Sequence, residues 1–262
     1  MGLQYLGILT FPIERSGITP LTNLIRILSN LSADRIALIT GNSGISAFKG
    51  DPRVQLQGIC HKRGENAVSR LWNYIIAQLR LAYLIARQQK TDLWVFFFGG
   101  ELLVLPMVTA KIQKKPVILV LPASNSIILA SSCDAFQRYS RGLTEINCRL
   151  CDRIVLYSPS LIREWGLERF RDKIRFAPEH LIDYSAFRER KPLGERSTRI
   201  AYVGRHVEEK GILQFVQAIP EILSARGDIE CIMAGDGPLR ERLEQSLREA
   251  NVSDRVRFTG WI

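Results

Sequence analysis

"RIAYVGRHVEEKGILQFV", residues 199–216, decides how the chain is read. An apolar strand over 200–204 runs into Gly204-Arg205, and Lys210-Gly211 follows where a helix should start. Charge is costly to bury without a partner. Two cations at the carboxyl end of a buried strand therefore point to an anion that sits there while the protein works. The junction of strand and helix suits one, because free backbone N–H groups and the positive end of the helix dipole face outward there. Gly204 permits close backbone approach, Arg205 offers a planar fork of donors, and Lys210 adds a mobile point charge. Glu208 and Glu209 stand beside them, either to cap the helix or to pair with the cations. Ordinary surface ion pairs would account for the same residues.

Downstream, the pattern continues as a helix over about 211–225, the strand "IECIMAG" (229–235), a helix over about 238–250 and the strand "RVRFTG" (255–260). This is β-α-β-α-β, half of a doubly wound sheet. In the usual strand order the first of these strands is central. Here the chain stops at Trp261-Ile262, which leaves strand 200–204 with an open edge of the kind soluble proteins avoid. The expectation is a fragment of a longer protein.

Upstream, strand and helix signals also alternate. "QYLGILTF" (4–11), "RIALIT" (35–40), "RVQLQGI" (53–59), "DLWVFFF" (92–98), "PVILVL" (116–121), "RIVLYS" (153–158) and "KIRFAP" (173–178) read as strands, several of them continuous apolar runs suited to a parallel sheet covered on both faces. Thr19-Pro20 opens a helix, and a long helix covers about 66–89. The polar stretch 183–197 reads as a linker. The fold class is thus α/β, with a Rossmann-like doubly wound domain and its linker over 1–190 and a partial second Rossmann-like domain over 191–262.

Two stretches raise the question of a membrane. Residues 93–110 are long enough to span one, but Gly99-Gly100-Glu101 interrupts them, and strand, turn and helix explain the same residues. Helix 66–89 is apolar on most sides and carries Arg70, Arg80 and Arg87. It is either a core helix against the sheet or a basic amphipathic element at a membrane surface.

The charge is uneven. Of 36 cations and 26 anions, 11 of each fall from Lys191 onward, so the whole excess of +10 lies before it. A basic surface attracts acidic substrates, anionic lipid or nucleic acid. No aromatic-interleaved basic patch or recognition motif supports nucleic acid. Five cysteines at scattered spacings imply no disulfide framework. With no signal-peptide pattern at Met1-Gly2-Leu3-Gln4, a cytoplasmic setting is expected. Cys148-Arg149-Leu150-Cys151 lacks a second pair, so packing thiols are expected there. His61, His180 and His206 are far apart in sequence, and no metal-ligand cluster stands out.

Three segments together carry a resemblance: Gly204-Arg205 with Glu209-Lys210-Gly211, Gly235-Asp236-Gly237-Pro238, and Val256-Arg257-Phe258-Thr259-Gly260. They resemble the carboxyl-terminal domain of the family-4 glycosyltransferases of GT-B architecture (glycosyl transferases group 1). More loosely, "CDRIVLYSPSL" and "IRFAPEHLIDYSAF" resemble the family's first domain and its lead into the linker. The resemblance implies a nucleotide-diphosphate sugar donor on the second domain, an acceptor (a glycan or lipid-linked glycan) on the first, and transfer with retention. It implies that Arg205 and Lys210 stabilise charge on the leaving diphosphate, with no metal or other cofactor. It places Gly17, Gly204, Gly235, Gly237, Gly260 and Trp261 at the donor, Gly17 being equally well an ordinary turn glycine.

The sequence departs from the family in three places. The E-x7-E signature is not present, Pro122-Ala123-Ser124-Asn125-Ser126 lacks the histidine many relatives carry, and Glu179-His180 replaces Asn-Gly. The competing expectation is a non-catalytic binding remnant of such an enzyme. The basic first half adds an expected peripheral contact with the inner face of a membrane.

Overall fold

The computed structural model describes residues 5–62, 64–122, 134–177 and 191–262. The expectations placed on Ala123–Ser126, on Glu179-His180 and on the linker as far as Arg190 lie outside those residues. The chain divides into two compact units, Met1–Ile182 and Asp183–Ile262.

In the first unit, strands β1 (Leu6–Thr10), β2 (Ile36–Gly41), β3 (Val54–Ile59), β4 (Leu93–Phe97), β5 (Val117–Leu121), β6 (Arg153–Leu156) and β7 (Ile174–Phe176) form one sheet in the order β3-β2-β1-β4-β5-β6-β7. All its neighbours are parallel. The helices between them are α1 (Ile18–Ser29), α2 (Ser43–Phe48), α3 (Ala67–Arg87), α4 (Val104–Ile112), α5 (Asp134–Leu150) and α6 (Leu161–Trp165).

Apolar runs become central strands here because both faces are covered. β1 and β2 are buried along their whole lengths. β4 shows how: Trp94 and Phe96 enter a core shared with Leu81 and Ile85 of α3, while Val95 and Phe97 enter a second core with Leu21 and Ile25 of α1. Between β1 and β2, the buried hydroxyls of Thr10 and Thr40 pair at 2.8 Å, so neither is left unsatisfied.

The stretch 93–110 is β4, a turn through Gly99 at φ +77°, a short 3-10 segment at Gly100–Leu102, and α4. No helix among the described residues is long and apolar enough to cross a membrane. Cys148 and Cys151 lie in the core under the sheet. Burial pushes their thiols up, to about 12 and about 11, so they stay protonated and pack as small hydrophobes.

The second unit is β8 (Arg199–Val203), α7 (Ile212–Ala225), β9 (Glu230–Ala234), α8 (Arg240–Glu249) and β10 (Val256–Gly260), a parallel sheet in the order β10-β9-β8. This is the expected β-α-β-α-β, with β8 at an edge. One expectation is corrected. β8 is not a buried strand: Arg199, Ala201 and Val203 are exposed, and only Ile200 and Tyr202 turn inward. The reason is that α7 and α8 contribute to one core, shared with Cys231, Met233, Val256 and Phe258. Successive side chains alternate between sheet faces, so every second residue of β8 is left outside that core.

Candidate functional site

The loops at the carboxyl ends of β8, β9 and β10 are stitched together by their backbones. Gly204 N–H donates to the Ala234 carbonyl (2.9 Å), Gly235 N–H to Gly260 (2.7 Å), His206 N–H to Asp236 (2.9 Å) and Leu239 N–H to His206 (3.2 Å). The contact is too close for side chains. A Cβ on Gly235, whose φ is +126°, would lie 1.9 Å from the Gly204 carbonyl oxygen, and one on Gly237 would lie 2.5 Å from that of His206. These two glycines are therefore required by the packing of the loops against each other, whatever they contact besides.

Arg205 follows β8, and Lys210 ends a short 3-10 turn, Glu208–Lys210. Tyr202 holds the two positions together: its hydroxyl lies 3.1 Å from the Arg205 carbonyl and 3.3 Å from the Lys210 carbonyl and can donate to either. Neither cationic side chain is buried, which corrects the premise of costly burial. The Arg205 guanidinium pairs with the Glu209 carboxylate at 3.1 Å. No ion pair or side-chain hydrogen bond engages the Lys210 ammonium among the described residues. Gly211, at φ +69°, turns the chain into α7. No side chain caps that 14-residue helix, and its first turn holds no acidic residue. Its N-terminal N–H groups and dipole thus remain available next to a free ammonium.

Two residues not singled out by sequence reasoning belong to this mouth. One is Tyr202, as above. The other is Arg240, at the start of α8, whose guanidinium stands 5.4 Å from the centre of the Phe258 ring and pairs with Glu244 at 3.0 Å. A Cβ on Gly260 would come 3.9 Å from that guanidinium. Nothing in the run "GPLRERL" separates Arg240 from Arg242; only the helix phase does.

His206 is more than a turn residue. It is fully buried, its ring lies near those of Tyr202 (6.2 Å) and Phe258 (5.9 Å), and neither ring nitrogen has a hydrogen-bond partner among the described residues. Burial lowers its pKa; Arg240 works in the same direction, and Asp236 and Glu244 oppose it. Trp261 is exposed beyond β10.

Gly17 lies in the other unit, at the end of a short 3-10 turn, directly before α1. A Cβ there would meet Ile13 at 3.1 Å, a tight but local contact. His61, past the end of β3, stacks edge-on against Phe11 with ring centres 4.9 Å apart.

Known proteins resemble the chain in sequence and in fold. Residues 183–262 match the model of the family described as glycosyl transferases group 1. The 2-deoxystreptamine N-acetyl-D-glucosaminyltransferase of Niallia circulans is 37% identical over 70 residues, 27% of this chain and 18% of that protein. This match thus spans less than a fifth of the relative's length. Among solved structures, a UDP-N-acetylglucosamine 2-epimerase aligns with a TM-score of 0.65 and 11% identity over 100% of this chain and 70% of that one. The lipopolysaccharide outer core galactosyltransferase WaaB aligns with a TM-score of 0.57 and 13% identity over 99% and 68%. At such identities the likeness is one of fold. The fold is GT-B-like, and residues 183–262 are the part of the chain that is similar to the glycosyl transferases group 1.

Proposed function

We propose that the chain serves a glycosyltransferase that moves a sugar from a nucleotide-diphosphate donor to a glycan or lipid-linked glycan acceptor, with retention at the anomeric carbon. The observation that carries this reading is the free ammonium of Lys210 beside Arg205 at the uncapped start of α7, within the segment that matches the family. During transfer the acceptor oxygen bonds to the anomeric carbon as the bond to the diphosphate breaks. The acceptor's proton is released along with the nucleoside diphosphate. Negative charge grows on the departing phosphate, and donors aimed at growing charge lower the barrier. In this reading Lys210, Arg205 and the α7 N–H groups supply that stabilisation, and no metal ion takes part. Arg205 would exchange Glu209 for the phosphate. Gly204, Gly260 and Trp261 on the second unit and Gly17 on the first are read as donor contacts, together with the two glycines that shape the loops.

The basic first unit is read as drawing the protein to an anionic, cytoplasm-facing membrane surface where lipid-linked acceptors reside.

Calorimetry with a nucleoside diphosphate tests the phosphate role. Charge-assisted hydrogen bonds contribute about 1.5–3 kcal/mol each. The joint change Arg205→Ala with Lys210→Ala is therefore expected to weaken binding by about 100-fold or more. Unchanged affinity would remove both residues from the donor site. A donor epimerised without consumption of an acceptor would replace transfer by the chemistry of the epimerase neighbours.

A further inference from the structure

Helix α3 is apolar on two opposite sides. Its inner side is anchored: Ala77, Leu81 and Ile85 are buried in the core, Gln78 accepts a hydrogen bond from Leu105 N–H at 2.9 Å, and the Tyr74 hydroxyl donates to the Leu102 carbonyl. A capping box between Asn66 and Ser69 fixes its start. The outer side should then be polar, as on an ordinary surface helix. Instead Val68, Trp72, Ile75, Leu79 and Tyr83 are all exposed, Val68 by 79%, Trp72 by 62% and Tyr83 by 60%. Their spacings of three and four place them on one stripe, which runs about 22 Å along the helix.

Charge says what covers this stripe. Between Lys62 and Lys90 the sequence holds six cations and one acid, Glu65, and α3 itself has no acid at all. Arg80 and Arg87 are exposed beside the stripe, and the Arg87 guanidinium stands 5.8 Å from the centre of the Tyr83 ring. A second copy would bring like charge against like charge. An anionic surface would be attracted instead, and exposed Trp and Tyr beside Arg suit the boundary between headgroups and acyl chains. Leu79 and Tyr83 also line an apolar groove of about 320 Å³ against Gly58 and Ile59 of edge strand β3, a recess for acyl carbons.

We infer that α3 lies flat on an anionic bilayer, with the Val68–Tyr83 stripe in the acyl boundary and Arg80 and Arg87 among the headgroups. This rests on the membrane contact proposed above and is independent of sugar transfer, since the donor calorimetry varies only Arg205 and Lys210 and the flotation varies only residues of α3.

The test is flotation of the full chain with vesicles of phosphatidylcholine, alone or mixed with phosphatidylglycerol, at low and raised salt. Binding to the mixed vesicles is expected, weakened by salt. The joint change Trp72→Ser with Leu79→Ser, which leaves charge and core untouched, is expected to lower partitioning at least tenfold with the circular dichroism unaltered. Arg80→Gln with Arg87→Gln should remove most of the salt-sensitive part. If the serine variant floats like the unaltered chain, the stripe is not the docking face, though attraction by the basic unit survives. If the unaltered chain floats with neither vesicle, both ideas fall. A dimer in sedimentation equilibrium that the serine variant dissociates would overturn the bilayer in favour of a second copy.

Discussion

Strands β2 and β8 look alike in sequence, "IALITG" and "RIAYV", yet they meet different fates. β2 has β1 and β3 as neighbours and is buried at all six positions. β8 has β9 alone and alternates between exposed and half-buried. A short apolar run thus carries no burial of its own. Burial is conferred by what lies on either side and on either face, and the first sheet has both where the second has one.

Substitutions can sharpen or break that contrast. The largest effect is expected in the first sheet. Phe96→Ala removes a fully buried ring, and a core Phe→Ala change costs about 3–5 kcal/mol, read as a lowered midpoint in urea. A cost below about 1 kcal/mol would mean that this core is loosely packed.

A smaller effect belongs to the second unit and depends on pH. The folded state lowers the pKa of His206 below its ordinary value near 6.5, so the unfolded chain binds the proton more readily. Stability is then full above pH 6.5 and falls as pH drops through that value toward the lower folded pKa. The positive charge of Arg240 also disfavours protonation, while Asp236 and Glu244 temper the shift. Amide exchange in Cys231–Ala234 is expected to quicken between pH 7 and pH 5 after correction for intrinsic rates, and that rise should shrink in His206→Phe. An equal rise in both proteins would assign the effect to other groups.

The smallest effect is expected at Val203, whose exposure is 70%. Val203→Thr should change stability by no more than about 0.5 kcal/mol. A loss comparable to Phe96→Ala would show that β8 is covered in solution and would erase the contrast.

The same contrast explains what was legible beforehand. Continuous apolar runs located β4, β5 and β6, because two covered faces leave little polar alternation to confuse the signal, whereas the edge strands β3 and β7 were read from mixed runs, "RVQLQGI" and "KIRFAP". The glycines of 235–237 marked a tight turn, but that they make room for Gly204 and His206 is a long-range fact no local spacing encodes. Arg205 and Lys210 were singled out from their position after a strand. That one is paired and the other free depends on the turn at Glu208–Lys210, which places Glu209 within reach of the guanidinium. The burial of His206 was not legible, since an imidazole between Arg and Val reads equally well as a surface residue. For α3 the sequence offered a core helix or a membrane element, and the structure shows an apolar face toward the core and another toward solvent.

The pairing of Arg205 with Glu209 has a further consequence. Any incoming anion must outbid a carboxylate that is always at hand, tethered four residues away and never diluted. Chloride or a singly charged phosphate gains little from such an exchange, whereas a group with several oxygens and more than one negative charge can take over the guanidinium and reach the ammonium as well. In the proposed donor site Glu209 is thus a rival ligand that the diphosphate has to displace, and an exposed pair of this kind sets that cost at no more than about 1 kcal/mol.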